Sequence, residues 1–364
     1  MEKLRYACIG AGGIAEKKHL TEYSKLESVR LTAICDSNIE AAKRLAERFN
    51  IQSVYTNYQD MFSNEQLDLV SICTPNFLHA QICIAALRSG INVHCEKPLA
   101  LNADEVKRII EEKDKSSKKL MVALNNRFTN EAAHVNRLAE EGFFGDIYHV
   151  KCGWKRNSGI PGIGKWFTNK KLSGGGPLID LGVHFLDLAL YFMGFPKPES
   201  VYGAAYSNFG KSSSRIRAGY KSEKNGIFDV EDTAVGYVRL NNGATIDFDF
   251  SWASNIEEEQ KYVELLGTKG GLSFANGKIK LFRQFGNTCY TMVPDIKTLP
   301  AAQKECQHMV ECIVNDKQPL SSPEQAYELM QIIDAIYTSA SRKKEVVITK
   351  TLDLADKVRN SVNF

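Results

Sequence analysis

Residues 5–15 have the sequence RYACIGAGGIA, an apolar run that ends in a cluster of glycines. The cluster fits the pattern G-x-G-x-x-A, with Gly10, Gly12 and Ala15 at its fixed positions. In this pattern Gly10 permits a tight turn, Gly12 lets a pyrophosphate approach the backbone, and Ala15 keeps the following helix close to the sheet. A strand, a glycine turn and a helix in this order predict the first βαβ unit of a nucleotide-binding domain.

Similar apolar runs recur along the first 124 residues, at Leu31–Cys35, Leu69–Cys73, Ile91–Cys95 and Leu120–Leu124. Segments with helical spacing of apolar residues separate them, at about 13–25, 38–49, 77–89 and 102–116. Continuous apolar strands that alternate with helices indicate a parallel sheet covered on both faces. We therefore expect an α/β, doubly wound Rossmann domain over residues 1–125.

The pattern changes after about residue 145. Residues 245–252 alternate polar and apolar side chains, which predicts a strand with one buried and one exposed face. Asn242-Gly243 predicts a hairpin that joins this strand to Ala234–Leu240. Further strands are expected at 148–154, 262–266 and 278–282, and helices at 177–193 and 324–341. Residues 126–364 are therefore expected to form an α+β domain with an open, mainly antiparallel sheet.

The composition narrows the class of protein. Lys and Arg number 46 against 43 Asp and Glu, a net charge of +3, which does not favour nucleic acid or a membrane as the main partner. The most apolar long segment, 181–195, is too short to span a bilayer and contains His184 and Asp187. Nine cysteines without a Cys-x-x-Cys pair favour reduced, buried thiols, and hence a cytoplasmic location.

The predicted second strand is followed by Asp36, at about the 20-residue distance from the glycine turn where a ribose-binding acid is expected. Its carboxylate would accept hydrogen bonds from ribose hydroxyls and would repel a 2′-phosphate. Ser37 follows, and no arginine stands beside it to hold such a phosphate. NAD is therefore favoured, and NADP stays possible. Because a Rossmann fold also holds S-adenosylmethionine, this site alone does not establish hydride transfer.

Two further motifs supply candidate catalytic residues. Lys97 follows a predicted strand, and ligands bind beyond the carboxyl ends of such strands. Asp180 and His184 lie four residues apart on a helix that begins after three glycines and Pro177, so they share one helix face. An exposed loop lysine and a buried core histidine are the competing interpretations.

Oxidation of an alcohol needs these residue types. Histidine is a suitable base for the hydroxyl proton near neutral pH. Lys97 can stabilise negative charge on the same oxygen, and Asp180 can orient the substrate through a neighbouring hydroxyl. We find no metal-binding signature, because Asp180 and His184 alone supply too few ligands.

With these motifs, the chain resembles the glucose-fructose oxidoreductase, inositol dehydrogenase and rhizopine catabolism protein (Gfo/Idh/MocA) family. The resemblance covers nearly the whole chain and rests on the glycine motif and on five further sites: Asp36, Thr74-Pro75-Asn76 with His79, Glu96-Lys97-Pro98, Asn125-x-Arg127-Phe128, and Gly174 through Asp180-x-Gly182-x-His184.

The resemblance implies a nicotinamide-dependent dehydrogenase that acts on a hydroxyl or keto carbon of a sugar, a sugar derivative or a cyclic polyol. It implies Lys97, Asp180 and His184 as the catalytic set, with Glu96 near the nicotinamide ribose. Cofactor contacts are expected at Gly10, Gly12, Gly13, Ile14, Ala15, Asp36, Ser37, Thr74, Pro75, Asn76, His79, Glu96, Lys97 and Arg127. It also implies a homodimer or homotetramer that associates through the open sheet.

Substrate contacts are expected from the catalytic set and from Asn125, Trp154, Arg156 and Trp166. The last three lie in a segment with Trp and Arg side chains, which stack on sugars and pair with hydroxyls, although a structural loop with a buried tryptophan fits equally well. Two other functions remain open: a nicotinamide-sensing regulator without catalysis, and a reductase of a non-sugar carbonyl. The sequence names neither the sugar nor the physiological direction.

Overall fold

A computed structural model describes residues 2–349, except 211, 224 and 298. The chain divides into two compact units. Within the described residues, the first unit runs to Phe128 and resumes over Pro300–Tyr327, and the second comprises Thr129–Leu299 and continues from Glu328. In the part that the structure describes, no helix is long and apolar enough to cross a membrane.

The first unit contains a parallel sheet whose strands are β1 (Leu4–Ile9), β2 (Val29–Cys35), β3 (Ser53–Tyr55), β4 (Leu69–Ile72), β5 (Asn92–Glu96) and β6 (Leu120–Ala123). Their spatial order is β3-β2-β1-β4-β5-β6, and every neighbouring pair is parallel. The order reverses between β1 and β4, which is the switch point where doubly wound sheets bind their ligands. The predicted Rossmann fold is therefore confirmed.

Helices α1 (Thr21–Tyr23), α2 (Ile39–Phe49), α3 (Tyr58–Asn64), α4 (His79–Arg88) and α5 (Ala103–Ser116) connect these strands, with a π-helical turn at Ala15–Leu20 and 3-10 turns at Asn76–Leu78 and Asn125–Phe128. Asn38 and Asn102 cap α2 and α5 by accepting hydrogen bonds from the first backbone amides. The short elements β3 and α3 were not predicted, because three to seven residues carry too little periodicity.

The second unit contains a sheet with strands β7 (Ile147–Lys155), β8 (Pro198–Tyr206), β9 (Thr233–Leu240), β10 (Thr245–Ser251), β11 (Gln260–Gly267), β12 (Gly271–Ala275), β13 (Lys278–Phe285), β14 (Thr288–Met292) and β15 (Val346–Val347). The spatial order is β14-β13-β12-β11-β7-β10-β9-β8-β15. The predicted hairpin joins β9 to β10, and β7 pairs with β10 in parallel. The other neighbours pair antiparallel, as expected.

The remaining helices of the described chain are α6 (Asn130–Glu140), α7 (Lys170–Ser173), α8 (Val183–Phe192), α9 (Ala301–Val314) and α10 (Pro323–Arg342), with further turns at Leu178–Gly182 (π-helical), Trp166–Thr168 and Ser213–Arg215. Helix α8 packs on β7 and β11. Ile246, Phe248 and Phe250 of β10 are buried, whereas Asp247 between them is exposed, as the alternation predicts.

The structure divides the chain differently from the predicted domains 1–125 and 126–364. Residues 300–327 return to the first unit, so its sequence is not continuous. The physical reason is the apolar face of α9, where Cys306, Met309 and Val310 join the same buried cluster as Tyr6 and Tyr23. The sequence analysis did not predict α9, and even a helix with clear periodicity shows only that it has an apolar face, not which core it covers.

Candidate active site

The glycine turn after β1 has the shape that the motif predicts. Gly10 has a φ of +96°, and a Cβ added there would lie 2.5 Å from the Cys73 carbonyl oxygen, so only glycine fits. A Cβ at Gly12 or Gly13 would meet no atom within 4 Å in the described structure. Ala15 is fully buried beneath this open surface. The backbone at Gly12 and Gly13 is therefore open to a ligand of the kind that the motif predicts.

Asp36 lies against this turn. One carboxylate oxygen accepts a 2.6 Å hydrogen bond from the Ala11 amide, and the other accepts a 2.8 Å bond from the Asn38 amide. Each carboxylate oxygen has more than one lone pair, so Asp36 can still accept from a ribose hydroxyl. Ser37 follows it at the surface. The structure thus brings the ends of β1 and β2 together as the spacing predicted.

His79 joins the turns that follow β4 and β5. It is buried, with Nδ1 2.7 Å from the Pro98 carbonyl oxygen and Nε2 2.8 Å from that of Thr74. Burial lowers the pKa of His79, while the two carbonyl oxygens oppose this shift. Since the ring contacts backbone on both sides, it positions the Thr74-Pro75-Asn76 and Glu96-Lys97-Pro98 turns.

Glu96 ends β5, and Lys97 follows it half-buried. The Oε1 atom of Glu96 lies 3.0 Å from Lys18 Nζ and 2.9 Å from His19 Nε2. Burial opposes ionisation of Glu96, but the charge of Lys18 and the hydrogen bond from His19 outweigh it and hold the pKa of Glu96 well below its usual value. Lys18 was not predicted as a site residue.

Among the buried polar atoms of the first unit that lack a hydrogen-bond partner within the described residues, two lie just beyond strands of the parallel sheet. They are Thr74 Oγ1, beyond β4, and Asn125 Oδ1, beyond β6. Buried polar atoms are nearly always paired, so such atoms indicate a missing ligand or water. Both follow the carboxyl ends of parallel strands, where a dinucleotide is expected. The residues present therefore fit the nucleotide that the glycine turn predicts.

Arg127 was expected to contact the cofactor, and the structure does not support this role. Its side chain has no exposed surface, and Nη1 donates hydrogen bonds to the Leu320 carbonyl oxygen at 2.8 Å and to Gln325 Oε1 at 2.6 Å. Both acceptors belong to the segment that returns to the first unit. Arg127 therefore ties this segment to the end of β6.

In the second unit, a tight loop leads into the helix that carries the candidate catalytic pair. A Cβ at Gly175 would lie 1.9 Å from the Tyr337 hydroxyl, and one at Gly176 would lie 2.0 Å from the Glu231 carbonyl oxygen. The Glu231 carboxylate accepts hydrogen bonds from the amides of Gly176 (3.0 Å) and Leu178 (3.1 Å) and from the Tyr337 hydroxyl (2.9 Å). Glu231 and Tyr337 were not predicted.

Asp180 lies in the π-helical turn at Leu178–Gly182, and His184 lies in the first turn of α8. Asp180 Oδ2 accepts a 3.0 Å hydrogen bond from the indole of Trp252, which is fully buried. The ring of His184 lies 6.1 Å from that of Trp154. Gly182 gives space to two neighbouring side chains, since a Cβ there would lie 3.1 Å from Leu178 and 3.2 Å from Phe250.

Trp154 and Arg156 belong to one polar cluster beside His184. The Arg156 guanidinium lies 4.4 Å from the centre of the Trp154 ring, and the Lys261 ammonium lies 4.6 Å from it. Glu259 accepts hydrogen bonds from the indole of Trp154 and from Arg156 Nε. Burial lowers the pKa of Arg156, and the charge of Asp180 opposes this.

Besides Glu231 and Tyr337, the sequence analysis missed Trp252, Glu259 and Lys261 in the second unit's site. The last two lie in an acidic surface segment with no pattern to mark them. Within the described residues, Trp166 is not part of the Trp154 cluster. Its ring stacks on Phe167 instead, with ring centres 3.7 Å apart.

Comparison with known proteins places these features in one family. The profile described as "Oxidoreductase family, NAD-binding Rossmann fold" matches residues 4–124, and the profile of the GFO/IDH/MocA C-terminal domain matches residues 132–273. D-glucoside 3-dehydrogenase of Escherichia coli is 32% identical over 338 residues, which cover 93% of this chain and 95% of that protein. Levoglucosan dehydrogenase of Pseudarthrobacter phenanthrenivorans is 28% identical over 75% of this chain and 74% of that protein.

Solved structures agree in fold. Aldose-aldose oxidoreductase from Caulobacter crescentus, complexed with glycerol, has a TM-score of 0.79 at 25% identity and covers 95% of this chain and 100% of its own. Levoglucosan dehydrogenase in complex with NADH has a TM-score of 0.84 at 22% identity, covering 96% of this chain and 100% of its own. The chain therefore belongs to the Gfo/Idh/MocA family of oxidoreductases, and its first unit contains the family's NAD-binding Rossmann fold.

Proposed function

We propose that this protein is an NAD-dependent dehydrogenase that transfers a hydride between the cofactor and a hydroxyl or keto carbon of a sugar, a sugar derivative or a cyclic polyol. The observation that carries the proposal is the pair Asp180 and His184, held at a helix start in a chain whose first unit is an NAD-binding domain. Relatives that act on glucosides and levoglucosan support the substrate class.

His184 is assigned as the proton acceptor from the substrate hydroxyl, and Lys97 as the group that stabilises negative charge on that oxygen. Asp180 is assigned to orient the substrate through a neighbouring hydroxyl. Its hydrogen bond from the buried Trp252 indole supports this role, because the bond fixes the direction of the carboxylate before substrate arrives. NAD supplies the hydride acceptor when bound.

The cofactor is assigned to the glycine turn, to Asp36 and Ser37, to the Thr74-Pro75-Asn76 turn and to Glu96. The open backbone at Gly12 and Gly13 supports this, as does the unpaired Thr74 Oγ1 within the described residues. His79 is assigned a supporting part, because its ring holds the two turns on either side of this surface.

The substrate contacts are assigned to the catalytic set with Asn125, Trp154 and Arg156. Trp154 offers an aromatic surface, and Arg156 and Glu259 offer hydrogen-bond donors and acceptors for hydroxyl groups. Trp166 stays a prediction from the sequence. We expect these substrate contacts to suit neutral polyhydroxylated molecules. The positive charges of Arg156 and Lys261 lie beside the negative charge of Glu259 and pair with it.

A substrate panel tests this proposal. NAD reduction by the purified protein would be followed with glucosides, anhydro-sugars, free aldoses and inositols, and NADH oxidation with keto-sugars and non-sugar diketones. We expect turnover with at least one polyhydroxylated compound and a preference for NAD over NADP. Tight NADH binding without turnover on any sugar would instead support a sensing regulator, and turnover confined to diketones would support a reductase of non-sugar carbonyls.

We further propose a homodimer or homotetramer that forms through the outer face of the second unit's sheet, the face opposite to α8. This face exposes large side chains on neighbouring strands: Tyr202, Tyr206, Tyr237, Leu266 and Phe282. Monomeric proteins rarely expose so many large apolar groups on one surface. We place the protein in the cytoplasm, because its nine cysteines are free thiols and all but Cys289 are buried.

A further inference from the structure

The first unit buries a group of charges of which the proposed function uses only Glu96. Lys18 Nζ lies 3.0 Å from Glu96 Oε1 and 2.8 Å from Glu305 Oε2. The three residues are 7%, 8% and 0% exposed. Burying an ion costs several kcal/mol unless it is well paired, so a buried lysine between two carboxylates is retained only where its pairing is favourable.

The neighbouring His19 indicates which group carries the positive charge. Burial lowers the pKa of His19 to about 4, so its ring is neutral. His19 Nε2 then donates to Glu96 Oε1 at 2.9 Å, and Nδ1 accepts from the Ser71 hydroxyl at 2.9 Å. Lys18 is therefore the cation that faces the Glu96 carboxylate from the turn after β1.

Other titratable groups also face Glu96. They are Glu305 on α9, Cys73 after β4, His79 on α4, and the neighbours Cys95 and Lys97 on its own strand and turn. Burial raises the pKa of both cysteines, which are therefore uncharged thiols, and Glu305 is an anion. Within this group Lys18 is the cation that is hydrogen-bonded to Glu96.

The pairing also orients Glu96. Lys18 and His19 both donate to Oε1, so within the described residues Oε2 is the oxygen without a recorded hydrogen bond. The side chain keeps 11% of its surface exposed. Because Glu96 is the last residue of β5, this surface lies at the carboxyl edge of the parallel sheet, where such folds bind dinucleotides.

We propose that Lys18 is a positioning residue of the NAD site: by binding Glu96 and Glu305 together, it keeps Glu96 ionised and turned so that Oε2 accepts a hydroxyl hydrogen of the dinucleotide. This inference rests on the cofactor role assigned to Glu96 under the proposed function. Because Glu305 lies on α9, this pairing also gives α9 an indirect role in cofactor binding, although α9 is distant from Lys18 in the sequence.

The proposal makes a prediction about pH. With Lys18 present, the pKa of Glu96 is well below its usual value, so Glu96 is ionised at neutral and mildly acidic pH. Without Lys18, burial remains the largest influence and raises the pKa of Glu96. As pH falls through the raised pKa, Glu96 becomes protonated and loses the charge that strengthens a hydrogen bond from a hydroxyl.

The test is the dissociation constant of NADH, measured by fluorescence titration at a series of pH values from mildly acidic to mildly alkaline. Lys18→Met leaves the buried Glu305 without its lysine partner, so the double variant Lys18→Met/Glu305→Gln is measured beside it. Lys25→Met is the matched control, because Lys25 pairs with Glu22 at the surface of the same segment.

We expect the wild type and Lys25→Met to bind NADH with nearly constant affinity over this range. In the Lys18 variants, affinity should fall as pH falls, by up to about tenfold for each pH unit below the raised pKa. Adding Glu96→Gln to the double variant should abolish this pH dependence. Folding of each variant is checked by circular dichroism.

A flat profile in the folded double variant would overturn the role of Lys18, and so would a pH dependence that persists with Glu96→Gln. A wild type that fails to bind NADH at any pH would instead overturn the proposed function, and the role of Lys18 with it.

Discussion

Substitution of His184 distinguishes a catalytic role for this residue from a purely structural one. We expect His184→Ala to lower kcat by about 10²–10⁴-fold, the usual contribution of a general base, with little change in NADH affinity. Single-turnover hydride transfer by the folded variant is the measurement. His134→Ala on α6 is the control, since this half-buried histidine hydrogen-bonds to Arg137 of the same helix. Wild-type transfer rates in His184→Ala would remove it from the mechanism.

Asp36 is predicted to decide between NAD and NADP. Asp36→Ala should weaken NAD binding by about 10–100-fold, the effect of losing a hydrogen bond to a charged group, and should relieve repulsion of a 2′-phosphate. The measurement is kcat/KM for both cofactors with one substrate. Asp60→Ala is the control, because Asp60 is another carboxylate near the end of β2 but is exposed. A wild-type preference for NADP would contradict the assignment.

At the scale of elements, the loop before Asp180 depends on a close fit between three segments. Glu231 precedes β9, and Tyr337 lies on α10, yet both contact the Gly175-Gly176 backbone. A carboxylate at a helix start satisfies amides that the helix itself leaves unpaired, and the helix dipole favours its charge. Glu231 thus takes the part that a capping side chain normally plays, although it comes from elsewhere in the chain.

Gly176→Ala tests this fit. Its Cβ would lie 2.0 Å from the Glu231 carbonyl oxygen, so backbone must move, and we expect a loss of unfolding free energy of about 1–3 kcal/mol or more. Displacement of Asp180 should lower kcat as well. Chemical denaturation measures the stability, with Gly13→Ala as the control, since its Cβ would meet open space. Equal stabilities of the two variants would show that the loop adapts.

At the scale of the whole molecule, the outer sheet face predicts self-association. Tyr202 and Tyr237 are cross-strand partners on this face and are 54% and 37% exposed. Tyr202→Glu should place a charge in the proposed interface and reduce the mass measured by light scattering. Tyr220→Glu, which changes an exposed tyrosine outside the sheet, should leave the mass unchanged. A monomeric wild type at working concentrations would contradict the proposed assembly.

The sequence by itself determined what depends on short-range pattern. The apolar runs and glycine turn predicted the parallel sheet, all of its strands except β3, and the place of Asp36, because a buried strand and a tight turn restrict residue type locally. The alternation around Phe248 and the Asn242-Gly243 turn likewise predicted the hairpin of the second unit. Lys97, Asp180 and His184 were found from motifs and resemblance, and their roles stay proposals.

Only the tertiary structure decided which distant residues meet. Residues 300–327 return to the first unit and bring Glu305 to Lys18. The same segment accepts hydrogen bonds from Arg127, for which the family resemblance had implied a cofactor contact. The contact of Trp252 with Asp180 also joins segments far apart in the chain. A side chain's sequence neighbours show whether it suits a helix or a strand, but its charge state and hydrogen bonds depend on partners that only folding brings within a few ångströms.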